Sequence, residues 1–177
     1  TQHVQKKMEE RKAQTLLVTS VLEKEGRSTV AENLALALSM RKEKVFLLNA
    51  DFRKQNASWL ADEEGHLKIE NFQELLENLK KENDYVIIDT PPLGSVVDAA
   101  LIAKTADASV LVISANAVSR RMANSVKEQL INANSNFLGV ILNKADEGTK
   151  HYGYGKRYGS KYGYGYGYGR YGQNPKE

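Results

Sequence analysis

Residues 15–37 read TLLVTSVLEKEGRSTVAENLALA, and the fold turns on this stretch. Leu16-Leu17-Val18 is a short apolar run of the kind that forms a buried strand. The polar loop Ser20 to Arg27 follows, and Ser28 and Thr29 then open a helix with apolar residues at Val30, Leu34, Ala37 and Leu38. Strand, loop and helix N-terminus together make a phosphate-binding geometry, because free backbone N–H groups and the helix dipole converge on an anion. Gly26-Arg27-Ser28-Thr29 stands where a P-loop carries Gly-Lys-Ser/Thr. An ordinary strand–turn–helix is the competing reading of this stretch alone, since the cation is Arg and the loop has one glycine.

Outward from this stretch, the chain repeats strand and helix. Val45 to Ala50 (VFLLNA), Tyr85 to Asp89 (YVIID), Ser109 to Ser114 (SVLVIS) and Phe137 to Leu142 (FLGVIL) are further strand candidates. Phe72, Leu75, Leu76 and Leu79 mark an amphipathic helix. A short helix is expected from Asp98 to Thr105 with Asp98 as N-cap, and another from Val118 to Asn132 with Val118, Met122, Val126 and Leu130 on one face. Lys54 to Lys68, with the only tryptophan, Trp59, reads as loop with at most one helical turn. Thr90-Pro91-Pro92 ends the YVIID strand, because proline cannot donate to a ladder. Continuous apolar strands separated by helices indicate an α/β fold, P-loop NTPase-like, with a mostly parallel sheet of about five strands covered by helices on both faces.

The ends of the chain differ from the middle. Residues 1–14 are polar, carry both signs of charge and favour a solvated helix or a disordered lead-in; residues 15–148 form the domain. Residues 149–177 hold eight tyrosines alternating with glycine and nothing aliphatic, which reads as a disordered tail. From Lys150 onward the net charge is +5, so residues 1–149 carry −2. The basic balance therefore belongs to the tail and gives no sign of nucleic-acid binding by the core. With no cysteine, disulfides, thiolate zinc sites and cysteine nucleophiles are excluded, which is compatible with a reducing cytoplasm. The charged start TQHVQKKMEERKAQ has no signal-peptide pattern, and no apolar run approaches the roughly 20 residues that span a bilayer.

In an open parallel sheet, ligands bind beyond the carboxyl ends of the strands. Four such ends carry polar groups here: Ser20 to Thr29, Asn49 and Asp51, Asp89 and Thr90, and Asn143. Phosphoryl transfer needs a phosphate cradle, a cation, Mg²⁺ and acids that hold the metal and orient the nucleophile. Ser28 or Thr29 can supply a hydroxyl ligand. Asp89 suits the metal-holding acid, and Asp51 suits either metal or nucleophile; a strand-end turn is the plainer reading of both. Arg53 faces phosphate or is simply a solvated charge.

The stretches VTSVLEKEGRSTVAENLA, VFLLNADFRK, YVIIDTPPLGSVVDAALIA and FLGVILNKAD resemble the bacterial tyrosine kinases (BY-kinases), the cytoplasmic kinase domains of capsular and extracellular polysaccharide synthesis. These group with the deviant P-loop ATPases that include chromosome- and septum-positioning proteins. The resemblance covers roughly residues 14–146, and the tail matches the family's C-terminal tyrosine cluster, which the positioning ATPases lack. It implies that Ser20 to Thr29 is the Walker A loop, with Glu25, Gly26, Arg27, Ser28 and Thr29 on ATP and Asn143 near the adenine. Asn49 to Arg53 would be the A′ motif and Asp89 the Walker B acid. Catalysis would fall to Arg27, Asp51 and Asp89, and Mg²⁺ to Ser28, Asp51 and Asp89. Tyr152, Tyr154, Tyr158, Tyr162, Tyr164, Tyr166, Tyr168 and Tyr171 would be phosphate acceptors between neighbouring subunits of a homo-oligomer. The implied partner is a membrane-anchored polysaccharide co-polymerase that activates the kinase at the inner face of the cell membrane.

The sequence also departs from that pattern. The family loop reads Pro-Gly-Glu-Gly-Lys-Ser-Thr, against Glu23-Lys24-Glu25-Gly26-Arg27-Ser28-Thr29 here. Lys24 replaces a glycine, and Arg27 replaces a compact ammonium with a planar fork. Asn49-Ala50-Asp51 replaces Asp-x-Asp. The segment between Asp51 and Tyr85 is shorter than is usual and lacks a strand, and the N-terminal Arg-bearing oligomerisation motif is not found. These departures leave two further readings beside an active kinase: a pseudokinase serving as a regulatory and acceptor module, and a positioning-type ATPase.

Overall fold

The computed structural model describes residues 2–52, 60, 67–93, 97–133 and 136–145. They lie in one compact unit, Thr1–Asp146. Arg53, Trp59 and the tail tyrosines fall outside the described residues. The elements alternate along the chain as α1 (Gln2–Glu10), β1 (Thr15–Ser20), α2 (Arg27–Ser39), β2 (Val45–Asn49), α3 (Ile69–Glu82), β3 (Tyr85–Asp89), α4 (Val97–Ala103), β4 (Ala108–Ser114), α5 (Arg120–Asn132) and β5 (Asn136–Asn143). The strands form one sheet in the order β2-β3-β1-β4-β5, and every pairing is parallel. This is the expected mostly parallel sheet of five strands.

Alternate strand residues feed two cores, as the two-residue side-chain period requires. Leu16 and Val18 of β1, Ile87 of β3, and Val110 and Val112 of β4 meet α1 and α2 through Met8, Ala31, Leu34 and Leu38. Leu17, Val86, Ile88 and Leu111 meet α3, α4 and α5 through Phe72, Leu76, Ile102, Val126 and Leu130. Helices thus cover both faces.

Four local expectations need correction. The N-terminal helix is not merely solvated: Met8 is fully buried beneath it, and Lys7 Nζ donates to the Leu138 carbonyl at 2.7 Å. β2 and β5 are not buried runs, because they are the outer strands of the described sheet. Phe46 and Leu47 are 40% and 38% exposed, and Val140 and Leu142 are 51% and 62% exposed. The described part of helix α4 starts at Val97, so Asp98 lies inside the helix and not at the position before it. Helix α5 begins after Val118, with Ser119 as its N-cap accepting from the Met122 N–H at 3.2 Å, and Met122 is half-exposed.

Candidate functional site

The register of three adjacent strand ends assembles the site. Val18 of β1 pairs with Asp89 of β3, and Asp89 pairs with Asn49 of β2. The carboxyl ends of β1, β2 and β3 therefore lie side by side. The loop after β1 folds over them and runs into α2, whose N-terminus at Gly26 has no side-chain cap. Its first-turn N–H groups are the donors that an anion takes. Glu23, Lys24, Gly26, Arg27 and Ser28 line a cavity of about 290 Å³ at this point.

The loop owes its shape to buried hydrogen bonds. Glu25 is 2% exposed, and its side chain turns inward. Its Oε2 accepts from the N–H groups of Val21 (2.8 Å) and Leu22 (2.7 Å), and its Oε1 accepts from Ser114 N–H (3.0 Å). The Glu25 carboxylate thus ties the loop to itself and to the end of β4, and it is engaged with backbone rather than turned to the cavity. Asn143 Nδ2 donates to the Glu25 carbonyl at 2.9 Å, and Lys144 Nζ donates to the Lys24 carbonyl at 2.6 Å. Gly26 sits at φ +87°, and a Cβ there would lie 2.1 Å from Asn143 Nδ2. Only glycine combines that backbone angle with that close approach. Lys24 adopts φ 61°, also left-handed, without being glycine.

Arg27 and the two acids meet beneath the loop. Arg27 Nε lies 3.4 Å from Asp89 Oδ1, and Arg27 Nη2 lies 3.9 Å from Asp51 Oδ2. Arg27 and Asp89 are buried, yet neither Arg27 Nε nor Asp89 Oδ1 completes a hydrogen bond. Burial pushes the Asp89 carboxyl above its ordinary value, and the charges of Asp51 and Glu32 add to this. The hydrogen bond from Ser28 and the charge of Arg27 oppose it. Asp51 N–H donates to Asn49 Oδ1 at 2.9 Å, an Asx turn at the end of β2. Ser28 and Thr29 are exposed, and Ser28 lines the cavity.

Glu25, Gly26, Arg27, Ser28, Asp51, Asp89 and Asn143 are thus brought to one end of the sheet, with Thr29 one residue beyond. Lys144 and Ser114 belong to the same construction but carry no sequence signal. A basic residue after a strand and a serine at a strand end become loop clamps only through non-local pairing.

A hydroxyl and two carboxylates form the oxygen donor set that a hard divalent cation takes. The open Oδ1 of buried Asp89 fits such a role, with Arg27 as the group that shares it. Among the described residues no cluster of three or more His, Cys, Asp or Glu exists, so protein groups alone would leave a cation most of its water. No described helix is long and apolar enough to cross a membrane.

No protein-family model matches the chain. It is similar to tyrosine-protein kinase CpsD of Streptococcus agalactiae, with 35% identity over 187 residues, 80% of this chain and 82% of the relative. It is also similar to tyrosine-protein kinase YwqD of Bacillus subtilis, with 32% identity over 186 residues, 82% of this chain and 78% of the relative. Both alignments are longer than this chain's 177 residues, so the relatives carry insertions that it lacks. Among solved structures, the kinase domain of the Escherichia coli tyrosine kinase ETK superposes with a TM-score of 0.70 at 21% identity, covering 86% of this chain and 76% of that one. The MinD cell division protein of Aquifex aeolicus superposes with a TM-score of 0.62 at 22% identity, covering 73% and 69%. These two likenesses show the fold alone, a P-loop NTPase-like α/β fold.

Proposed function

The chain belongs to the bacterial tyrosine-protein kinase family, and from that premise we propose that it transfers the terminal phosphoryl group of ATP to tyrosines of its own tail. The acceptors are Tyr152, Tyr154, Tyr158, Tyr162, Tyr164, Tyr166, Tyr168 and Tyr171, in a segment, residues 149–177, that serves as a substrate for neighbouring subunits. One observation carries this reading: an uncapped helix N-terminus opens on a cavity, and Arg27, Asp51 and Asp89 converge directly beneath it.

The residues divide the work. Backbone N–H groups from Glu25 to Thr29 bind the phosphates, and Gly26 lets the backbone approach them. Ser28, Asp51 and Asp89 would hold Mg²⁺, which when bound neutralises charge on the phosphate oxygens. Asp51 orients the tyrosine hydroxyl and accepts its proton. Arg27 stabilises charge on the phosphoryl group, and Asn143 lies toward the adenine while holding the loop. Phosphorylation adds about −1.5 to −2 charges per tyrosine. The tail of net +5 would therefore reverse its sign and lose its attraction to acidic surfaces. That switch would control assembly of a homo-oligomer acting with a membrane-anchored polysaccharide co-polymerase at the inner face of the cell membrane, in capsular or extracellular polysaccharide synthesis. No role in nucleic-acid binding is assigned.

The test is mass-spectrometric mapping of tail phosphate after incubation with MgATP, with Asp51→Ala and Arg27→Lys alongside. Phosphate on the tail tyrosines that disappears in Asp51→Ala supports the proposal. A second reading, the non-catalytic acceptor module, is favoured by one feature: Arg27 is already engaged with both acids. A tail that stays unmodified, with and without the cytoplasmic segment of the activator, selects that second reading.

A further inference from the structure

We infer that Arg27 is a resident counter-cation of the Asp51–Asp89 pair, so that guanidinium and divalent cation compete for the same carboxylates and this chain binds a nucleoside diphosphate with little help from Mg²⁺. The inference rests on the nucleotide-binding reading above and adds how the site responds to metal.

The geometry points there directly. The Arg27 side chain is 10% exposed, and those of Asp51 and Asp89 are 13% and 12% exposed. Its Nε and Nη2 reach different acids, so the fork spans the gap between them. A guanidinium is weakly hydrated, permanently charged and planar, and it gives up such a pocket less readily than an ammonium on a flexible stem. Asn49, the remaining polar side chain at the end of β2, is neutral, and its Oδ1 accepts from Asp51 N–H. The pair of acids carries two negative charges, one already balanced by Arg27. A divalent cation arriving there meets carboxylates already engaged by a fixed positive neighbour.

The contacts with Arg27 are also incomplete. Nε and Asp89 Oδ1 are buried and at ion-pair distance, but they do not complete a hydrogen bond. Buried charged groups are ordinarily both paired and hydrogen-bonded. This arrangement lets the guanidinium hold the acids beside the cavity that Arg27 lines. A phosphate at the α2 N-terminus would meet that guanidinium without any metal bridge.

The experiment measures ADP affinity of the full chain in EDTA and in Mg²⁺ at matched ionic strength. For the unaltered chain the two dissociation constants should agree within about twofold, whereas in Arg27→Lys Mg²⁺ should tighten ADP by about tenfold or more. A tenfold metal effect in the unaltered chain overturns the inference, as does an Arg27→Lys variant with no greater metal dependence. Failure of ADP to bind under all conditions removes the nucleotide reading, and the metal alone then decides. Mg²⁺ should leave the melting temperature of the unaltered chain unchanged and raise that of Arg27→Gln, in which the acids lose the Arg27 guanidinium. Equal responses of the two proteins to Mg²⁺ overturn the competition itself.

Discussion

Asp107, just before β4 at the amino end of the sheet, accepts hydrogen bonds from the N–H groups of Gln14 (3.0 Å) and Thr15 (2.8 Å) and lies 3.8 Å from Lys80 Nζ. Asp89, at the carboxyl end of β3, is the more buried of the two carboxylates, yet its Oδ1 has no hydrogen-bond partner. Around Asp107 the bonding is closed. Thr15 Oγ1 accepts from Asp107 N–H at 2.7 Å, and Gln14 Nε2 donates to the carbonyls of Lys80 (2.7 Å) and Asn83 (2.6 Å). The difference separates two uses of one residue type. A carboxylate that fills backbone donors fastens elements together, whereas a buried one left incomplete is held ready for something that arrives later.

Glu25 tests this division most severely, because it stands at the site end but is bonded like Asp107. Glu25→Ala would strand the N–H groups of Val21, Leu22 and Ser114. Each orphaned buried donor costs about 1–3 kcal/mol, so urea denaturation should show a loss of about 3–5 kcal/mol. Glu25→Gln, which keeps an acceptor oxygen, should recover part of that loss. A cost below about 1 kcal/mol for Glu25→Ala would mean that water replaces the carboxylate and that the loop is not built on it.

The same residue shows where sequence reading stops. The inner strands β1, β3 and β4 were legible as apolar runs because both of their faces are covered, and α2 and α3 because their buried positions recur at helical spacing. The exposure of β2 and β5 was not legible, since an apolar run does not say whether a strand lies inside the sheet or at its side. Strand order depends on pairing between distant segments. Met8 was hidden among charges, with only Val4 one turn before it to suggest an apolar face. For Glu25 and Arg27, position in the loop was readable but direction was not. A loop acid can face ligand or backbone, and only the arrival of Ser114 from β4 decides.

Asp107→Ala supplies the opposite case. Two backbone donors lose their acceptor there, for an expected cost of about 2 kcal/mol in urea denaturation. ADP affinity should stay within about twofold, because the change is at the far end of the strands. A large fall in affinity would mean that the two ends are not separate in function. Asp89→Asn should act in the other direction. Because burial raises the folded-state pKa of Asp89, the native state binds a proton more readily than the unfolded chain, and its stability falls as pH rises through that range. Removing the charge should therefore raise the melting temperature at pH 7. That advantage should shrink as the pH is lowered below the ordinary carboxylate value, where Asp89 is protonated in both states. An advantage independent of pH would assign the effect to packing.

Lys24→Gly is the smallest and most local test. Lys24 holds φ 61°, a conformation that costs a non-glycine residue roughly 1–2 kcal/mol, while glycine adds about 0.5–1 kcal/mol of unfolded-state entropy. The carbonyl that accepts from Lys144 Nζ is backbone and survives the change. A net gain of about 0.5 kcal/mol is expected from denaturation. ADP binding should improve as well if the side chain crowds the cavity that Lys24 lines. A loss of stability would instead show that the Lys24 side chain contributes more than its backbone strain costs, and that the loop at this position is fastened by more than the Glu25 carboxylate and the two clamps from the end of β5.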